Sequence, residues 1–358
     1  MVARGGAVAF EERDVPSVGP RDILVRTTAA SMCSADPAAA SGSFDVVAAE
    51  GDAESVLPGI IIGHEAVGVV QEIGSMVTGF AVGDRAVSAS TTPCGRCANC
   101  QRGFGGHCRG EMWGGYSPGV SRDGTLAEYF IVPDAEVNLA KVPDAVSDAG
   151  AVFISDSFST GSTAIEETGL PLGGTVVVFG QGHIGLGAIA AASVAGAGLV
   201  IAVRSRAGSE DVAQRMGADM ALNHAEHDVM AEILRLTDGV GVDLAVEASG
   251  SKAAFAQAIE ATRLGGEISV IATYAGGDDS LTIPLPSWGW GVGDKTIRSR
   301  FQRSGGERTG RLLRLIERHR VDVTPVFTHE YSFDAALQAF ADVRDGAPGL
   351  IKPLIRFN

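Results

Sequence analysis

Hydrophobic positions follow two regimes along the chain. Up to about residue 150 they come in short runs rich in β-branched residues, such as Ile23–Thr27 and Ala66–Ile73, separated by Gly-Asp and proline-containing turns. No long amphipathic helix interrupts them, so this half predicts a β-rich, partly barrelled domain. From Thr175 the pattern changes to mostly apolar runs, TVVVFG, LVIAV, VDLAVEASG and EISVIATY, which read as buried strands. Between these runs lie a Gly/Ala-rich helical stretch, a helix through Glu210–Met216 and a helix near Ala253–Arg263. Buried strands alternating with helices predict a doubly wound parallel sheet, hence an α/β fold. After a Gly/Pro/Trp-rich crossover (Gly276–Gly293), a helix near Thr309–His319, the segment Phe333–Val343 and the apolar run Leu350–Phe357 are expected to return to the first domain. The predicted division is a β-rich domain of residues 1–157 and 298–358, into which an α/β domain of residues 158–297 is inserted.

The length of 358 residues agrees with two domains rather than one. With 28 Lys+Arg against 43 Asp+Glu the formal net charge is −15, which offers little to a nucleic-acid backbone or an anionic membrane, so neither is expected as a partner. A 45% hydrophobic fraction with 48 glycines and 20% charged residues fits a turn-rich enzyme and excludes global disorder. MVARGGAVAFEER has no apolar core of the kind a secretory signal carries. The longest apolar stretch, Thr175–Val203, is interrupted by Gln181, His183 and glycines and closed by Arg204–Arg206, so it reads as strand, turn, helix and strand rather than a membrane span. A cytoplasmic protein is the expectation.

Two motifs carry chemistry. Gly180-Gln181-Gly182-His183-Ile184-Gly185 follows a predicted strand and opens a helix, the context in which G-x-G-x-x-G cradles a pyrophosphate. In such sites the next strand ends in an acidic residue when NAD is bound; here it ends in Arg204-Ser205-Arg206. Two guanidinium groups and a hydroxyl favour a 2′-phosphate, and so NADP(H), over the alternative of a basic surface turn. The second motif is Cys94-x2-Cys97-x2-Cys100-x7-Cys108, four thiols within fifteen positions, which predicts a closed structural Zn²⁺ site. Cys33 is left over. Read alone it could be an ordinary buried cysteine, but Gly63-His64-Glu65 adds an imidazole and a carboxylate, and a catalytic zinc needs about three protein ligands and an open position.

In these motifs and their order, with Gly83-Asp84-Arg85 between them, the chain resembles the zinc-dependent medium-chain alcohol dehydrogenases over essentially its whole length. Asp156-Ser157-Phe158-Ser159-Thr160-Gly161, Ala202 through Arg206, Trp288-Gly289-Trp290-Gly291, Lys295-Thr296-Ile297, Arg320-Val321-Asp322 and Leu350-Ile351-Lys352-Pro353 resemble the NADP-dependent bacterial secondary alcohol dehydrogenases most. The resemblance implies a GroES-like catalytic domain, with Cys33, His64 and Asp156 holding a catalytic zinc and Glu65 as an intermittent fourth ligand. It implies that Asp36 orients His64. It places Thr160, Gln181, Gly182, His183, Ile184, Arg204, Ser205, Arg206, His224, Thr273, Tyr274 and Lys352 on the cofactor; for His224 an ordinary surface role is the alternative. Ser90, Thr91, Trp113, Tyr116 and Tyr274 would line the pocket for a small alcohol or carbonyl substrate, with core or loop packing as the alternative for each, and Ser41–Glu54 either caps its entrance or is a surface loop. A homodimer or homotetramer is implied by kinship alone.

One stretch departs from the family. Its usual Cys-x-Ser/Thr-Asp-x-His passes the alcohol proton outward, whereas here Cys33-Ser34-Ala35-Asp36-Pro37-Ala38 replaces both relay side chains by alanine. Two readings compete: alcohol/carbonyl chemistry with the proton carried by water or Ser34, and NADPH-dependent reduction of an activated C=C or C=N bond. A nucleotide-binding sensor without catalysis is the remaining possibility.

Overall fold

The apolar runs of the first half become strands of two sheets. In this computed structural model every residue is described except 5, 42–58, 111–117, 205–208 and 275–279. Strands β1 (Val2–Arg4), β2 (Ala7–Ala9) and β4 (Ile60–Ile61) form a small antiparallel sheet in the order β2-β1-β4. The larger sheet contains β3 (Ile23–Ser31), β5 (Glu65–Ile73), β6 (Arg85–Ser88), β7 (Tyr129–Val132), β8 (Leu139–Lys141), β15 (Phe327–Ser332) and β16 (Lys352–Arg356). Its order is β15-β16-β3-β5-β6-β8, with β7 also on β3. β3 and β5 run antiparallel from Ile23 opposite Ile73 to Ser31 opposite Glu65. Gly68 is required in that pair, because a Cβ there would overlap the Arg26 carbonyl of β3. Ile23, Val25, Met32, Ile62, Leu126, Phe130 and Ile355 fill the core, each contributing roughly 1.5–3 kcal/mol by burial.

By contact the chain divides into Met1–Ser159 with Gln302–Asn358, and Thr160–Phe301. The second unit is a six-stranded, all-parallel sheet: β9 (Thr175–Phe179), β10 (Leu199–Arg204), β11 (Met220–Asn223), β12 (Val242–Glu247), β13 (Thr262–Val270) and β14 (Thr296–Ser299). Its order, β11-β10-β9-β12-β13-β14, reverses between β9 and β12, which sets Phe179 beside Glu247 at the carboxyl edge where doubly wound sheets bind ligands. The helix His183–Val194 is built of Gly, Ala and small aliphatics and is buried over Gly185–Ala192, so it lies flush on the sheet. Ser251 and Asp228 cap the helices that follow them, accepting from the amides of Ala254 and Ala231.

Element boundaries differ in one informative place. The helix expected near Ala253–Arg263 spans Lys252–Ala261, and the β-branched Thr262 turns extended, so β13 begins there and EISV is only its carboxyl half. No helix among the described residues is long and apolar enough to cross a membrane.

Candidate metal centres and nucleotide turn

β3 delivers the first candidate ligand and β5 the next two. Just past β3, Cys33 starts the turn into the short helix Ala35–Ala40; its amide donates to Asp36 Oδ2 at 2.8 Å. Gly63, at φ +95°, swings the chain into β5, so that His64 and Glu65 arrive consecutively at the same end of the sheet. Asp36 Oδ1 lies 3.3 Å from His64 Nδ1, which leaves Nε2 to face a metal. Asp156 comes from elsewhere. The helix Asp148–Phe153, capped by Ser147, widens into one π-helical turn, Ile154–Phe158, and this bulge carries Asp156.

One donor atom from each of Cys33, His64, Glu65 and Asp156 lies within 4.8 Å of the others. All four side chains are buried. Burial pulls the His64 imidazolium down in pKa, but Asp36, by charge and hydrogen bond, outweighs it and holds His64 well above the ordinary range. Burial, with Asp156 adding to it, pushes Glu65 up to about 7 against the pull of the Lys352 ammonium. That ammonium is wholly buried and lies 2.7 Å from Glu65 Oε1. Glu65 Oε2 is buried and has no hydrogen-bond partner among the described residues. An orphaned carboxylate oxygen among a thiol, an imidazole and a second carboxylate is what a zinc-binding cluster would leave in the metal's absence.

The four clustered cysteines are free thiols whose donor atoms also lie within 4.8 Å of one another. Amide hydrogens of Arg96 and Cys97 point at Cys94 Sγ, that of Arg109 at Cys97 Sγ and that of Gly110 at Cys108 Sγ, each at 3.4 Å. N–H donation from Cys100 and Arg109 brings Cys97 down to about 6, whereas burial and the neighbouring sulfurs push Cys100 up. Four sulfurs this close can all ionise only around a cation, and the donor set suits zinc.

In the parallel-sheet unit, Gly180 has φ +102° and Gly182 caps the helix that starts at His183. A Cβ on Gly185 would overlap the Gly180 carbonyl, which is the close helix–strand approach expected of the third glycine of the motif. We therefore expect Gly185→Ala to destabilise this unit by about 1–3 kcal/mol, read as an earlier calorimetric transition; an unmoved transition would refute the packing argument. Glu247, fully buried at the end of β12, accepts from the amides of Ser249 and Gly250 and from the Tyr274 hydroxyl at 2.6 Å, fixing the loop next to Gly180.

Arg204 ends β10 and is buried, ion-paired to Glu210, with Nη1 3.4 Å from Ser209 Oγ. Among the described residues its Nε and the Gln181 Nε2 are buried without hydrogen-bond partners, two donors that suit an anion. His224 is exposed, its amide on the Arg204 carbonyl; Thr273 is exposed and Tyr274 half-buried. Lys352 is spent on Glu65 within the first unit. Ser90 and Thr91 are buried, Ser90 against Asp156. Ser205, Arg206, Trp113, Tyr116 and the segment Ser41–Glu54 lie wholly or largely outside the described residues. Sequence reasoning missed Gln302, Glu210 and Glu247. Only the last left a signal, as the one acid at the carboxyl end of an apolar strand.

The alcohol dehydrogenase GroES-like domain model matches residues 19–144 and the zinc-binding dehydrogenase model residues 184–318. An alcohol dehydrogenase of Cupriavidus necator is 35% identical, covering 97% of this chain and 96% of its own. The NADP-dependent isopropanol dehydrogenase of Thermoanaerobacter brockii is 37% identical, over 98% and 97%. Among solved structures, the alcohol dehydrogenase TADH from Thermus sp. ATN1 superposes with a TM-score of 0.87 at 28% identity, covering 100% of this chain and 99% of that one. With relatives this similar along both units, the chain belongs to the zinc-binding alcohol dehydrogenase family.

Proposed function

We propose that the protein is an NADP(H)-dependent zinc oxidoreductase interconverting a small alcohol and its ketone or aldehyde. The observation that carries this reading is the buried Cys33/His64/Glu65/Asp156 cluster with its orphaned Glu65 oxygen. Its support for NADP(H) is Arg204 at the end of β10, whose unpaired Nε and the nearby Gln181 amide suit a 2′-phosphate, together with relatives named for NADP dependence. Bound at these sites, zinc would polarise the substrate carbonyl as a Lewis acid and NADPH would supply the hydride.

The chain's own residues do the rest. Cys33, His64 and Asp156 hold the metal, with Asp36 fixing the imidazole. Glu65 divides its charge between Lys352 and the metal. Cys94, Cys97, Cys100 and Cys108 hold the structural zinc. Gly180, Gln181, Gly182, His183, Ile184 and Gly185 present the helix start to the pyrophosphate, and Glu247 holds Tyr274. Ala35 and Ala38 can neither give nor take a proton, so the alcohol proton leaves through Ser34 or water. Ser34 is exposed, with its Oγ 3.9 Å from Cys33 Sγ.

A homodimer or homotetramer is part of this reading. Leu264, Leu285, Trp290 and Val292 of the parallel-sheet unit are each more than half exposed, an apolar surface that association would cover. We place the enzyme in the cytoplasm, in keeping with five cysteines that form no disulfide.

The test combines metal analysis with NADPH- and NADH-dependent turnover of secondary ketones, aldehydes, conjugated enals and imines. About two zinc ions per chain with NADPH-preferring ketone or aldehyde reduction is the expected result. Turnover of enals or imines alone would replace it by the reading in which Ala35 and Ala38 mark C=C or C=N reduction. Nucleotide binding without turnover would leave a sensor.

A further inference from the structure

Two donors of the Cys33 cluster are braced by a charged neighbour: His64 by Asp36, Glu65 by Lys352. Asp156 sits in a π-helical turn, a looser support than a strand end, and its carboxylate needs aiming. Ser90 Oγ lies 2.9 Å from Asp156 Oδ1 and 2.7 Å from Gln302 Oε1. Gln302 is itself fixed. Its Nε2 donates to the Ser155 carbonyl at 2.9 Å, and its Oε1 accepts from the Thr91 amide at 3.2 Å. The amide cannot be reversed, since that would set NH₂ against the Thr91 N–H and one carbonyl against another. The Ser90 amide donates to that same Ser155 carbonyl at 2.7 Å, so the backbone on either side of the ligand and the Gln302 side chain close one ring around the Ser90 hydroxyl. Ser90 and Ser155 are fully buried, Gln302 and Asp156 nearly so. The hydroxyl has one proton and two acceptors; given to the anionic carboxylate, the stronger of the two, it leaves Gln302 to hold Ser90 through the Thr91 amide and through the Ser155 carbonyl that it shares with the Ser90 amide.

We propose that Ser90 is a positioning residue that aims the Asp156 carboxylate at the metal, and that Gln302 is the buttress that keeps Ser90 in place. The inference rests on the zinc reading of the Cys33 cluster. It gives Ser90 a task that requires no contact with substrate, and it gives Gln302, which follows the whole nucleotide-binding unit in sequence, a part in the metal site.

The test uses the full-length protein loaded with Co²⁺ or Zn²⁺, comparing wild type with Ser90→Ala, Ser90→Thr and Gln302→Leu. Metal per chain is measured after equilibration with chelators of graded strength, and the visible spectrum of the Co²⁺ forms is recorded. The four-cysteine site shares none of these residues and serves as an internal reference. Ser90→Ala is expected to release the second metal about 10–100-fold more readily and to shift the cobalt bands, with the four-cysteine metal retained. Ser90→Thr, which keeps the hydroxyl, should retain the metal as wild type does, and Gln302→Leu should follow Ser90→Ala in direction with a smaller effect. A wild-type spectrum and wild-type retention in Ser90→Ala overturn the inference alone, as does a Ser90→Thr protein that behaves like Ser90→Ala. A wild type that takes up only one metal per chain overturns the zinc reading and this inference with it.

Discussion

Asp156→Asn and Cys33→Ser should each lower kcat/KM for carbonyl reduction by at least about 10³-fold while one zinc ion per chain stays bound. The size follows from the Lewis acid's share of transition-state stabilisation, several kcal/mol, at about 1.4 kcal/mol per factor of ten. Asparagine preserves the shape of the aspartate but removes the charge that competes for the metal, and serine replaces a soft thiolate by a hydroxyl that stays protonated. Both residues are buried in the GroES-like unit, yet neither belongs to its main apolar cluster, so the melting transition of the metal-free protein should move little. Turnover and zinc content measured on the same preparations decide the matter. Wild-type turnover in both variants would remove the Cys33 cluster from the chemistry.

Lys352→Met should strongly destabilise the first unit. The Lys352 and Glu65 side chains are both wholly inaccessible to solvent and 2.7 Å apart. Breaking a buried pair by removing one partner costs about 3–5 kcal/mol, because the remaining charge is stranded where water cannot reach it. The double variant Glu65→Gln/Lys352→Met removes both charges and should recover most of that loss. Urea unfolding of the four proteins, metal-free, reads the cycle. Additive losses would show that the two groups do not depend on each other.

Much of the fold is legible in the sequence because much of it is local. Strands β9 and β10 are nearly continuous apolar runs, β12 is interrupted only by Asp243 before its terminal Glu247, and the parallel sheet they form buries both faces, so each run declares itself without knowledge of its neighbours. The four-cysteine lobe lies within fifteen residues and is legible for the same reason. What the residues alone conceal is non-local. Asp156 is picked out only by family resemblance, since nothing in the run ISDSF marks a ligand and the π-helical turn that presents it has no pattern of its own. Gln302 and Ser90 are 212 positions apart, and Lys352 and Glu65 are 287 apart, so no spacing relates them. Lys352 is expected at the cofactor from family position alone, and its ammonium lies 2.7 Å from the buried Glu65 carboxylate at the metal cluster, a contact that no sequence pattern announces. Arg204 is half legible: its place at the end of β10 was plain, but its pairing with Glu210 was not.

Strand β16 lies between β15 and β3, so the sheet bearing Cys33, His64 and Glu65 is closed by residues 352–356. The parallel-sheet unit, by contrast, is one uninterrupted stretch, Thr160–Phe301. During synthesis at roughly 5–20 residues per second, the parallel-sheet unit can therefore fold while the first unit is still waiting for β16, with the Glu65 carboxylate lacking its counter-charge. Acquisition of the catalytic metal is then among the last events in the maturation of each polypeptide. A nascent chain stalled after residue 340 should already bind nucleotide and hold metal on its four clustered cysteines, yet remain unable to keep the second ion.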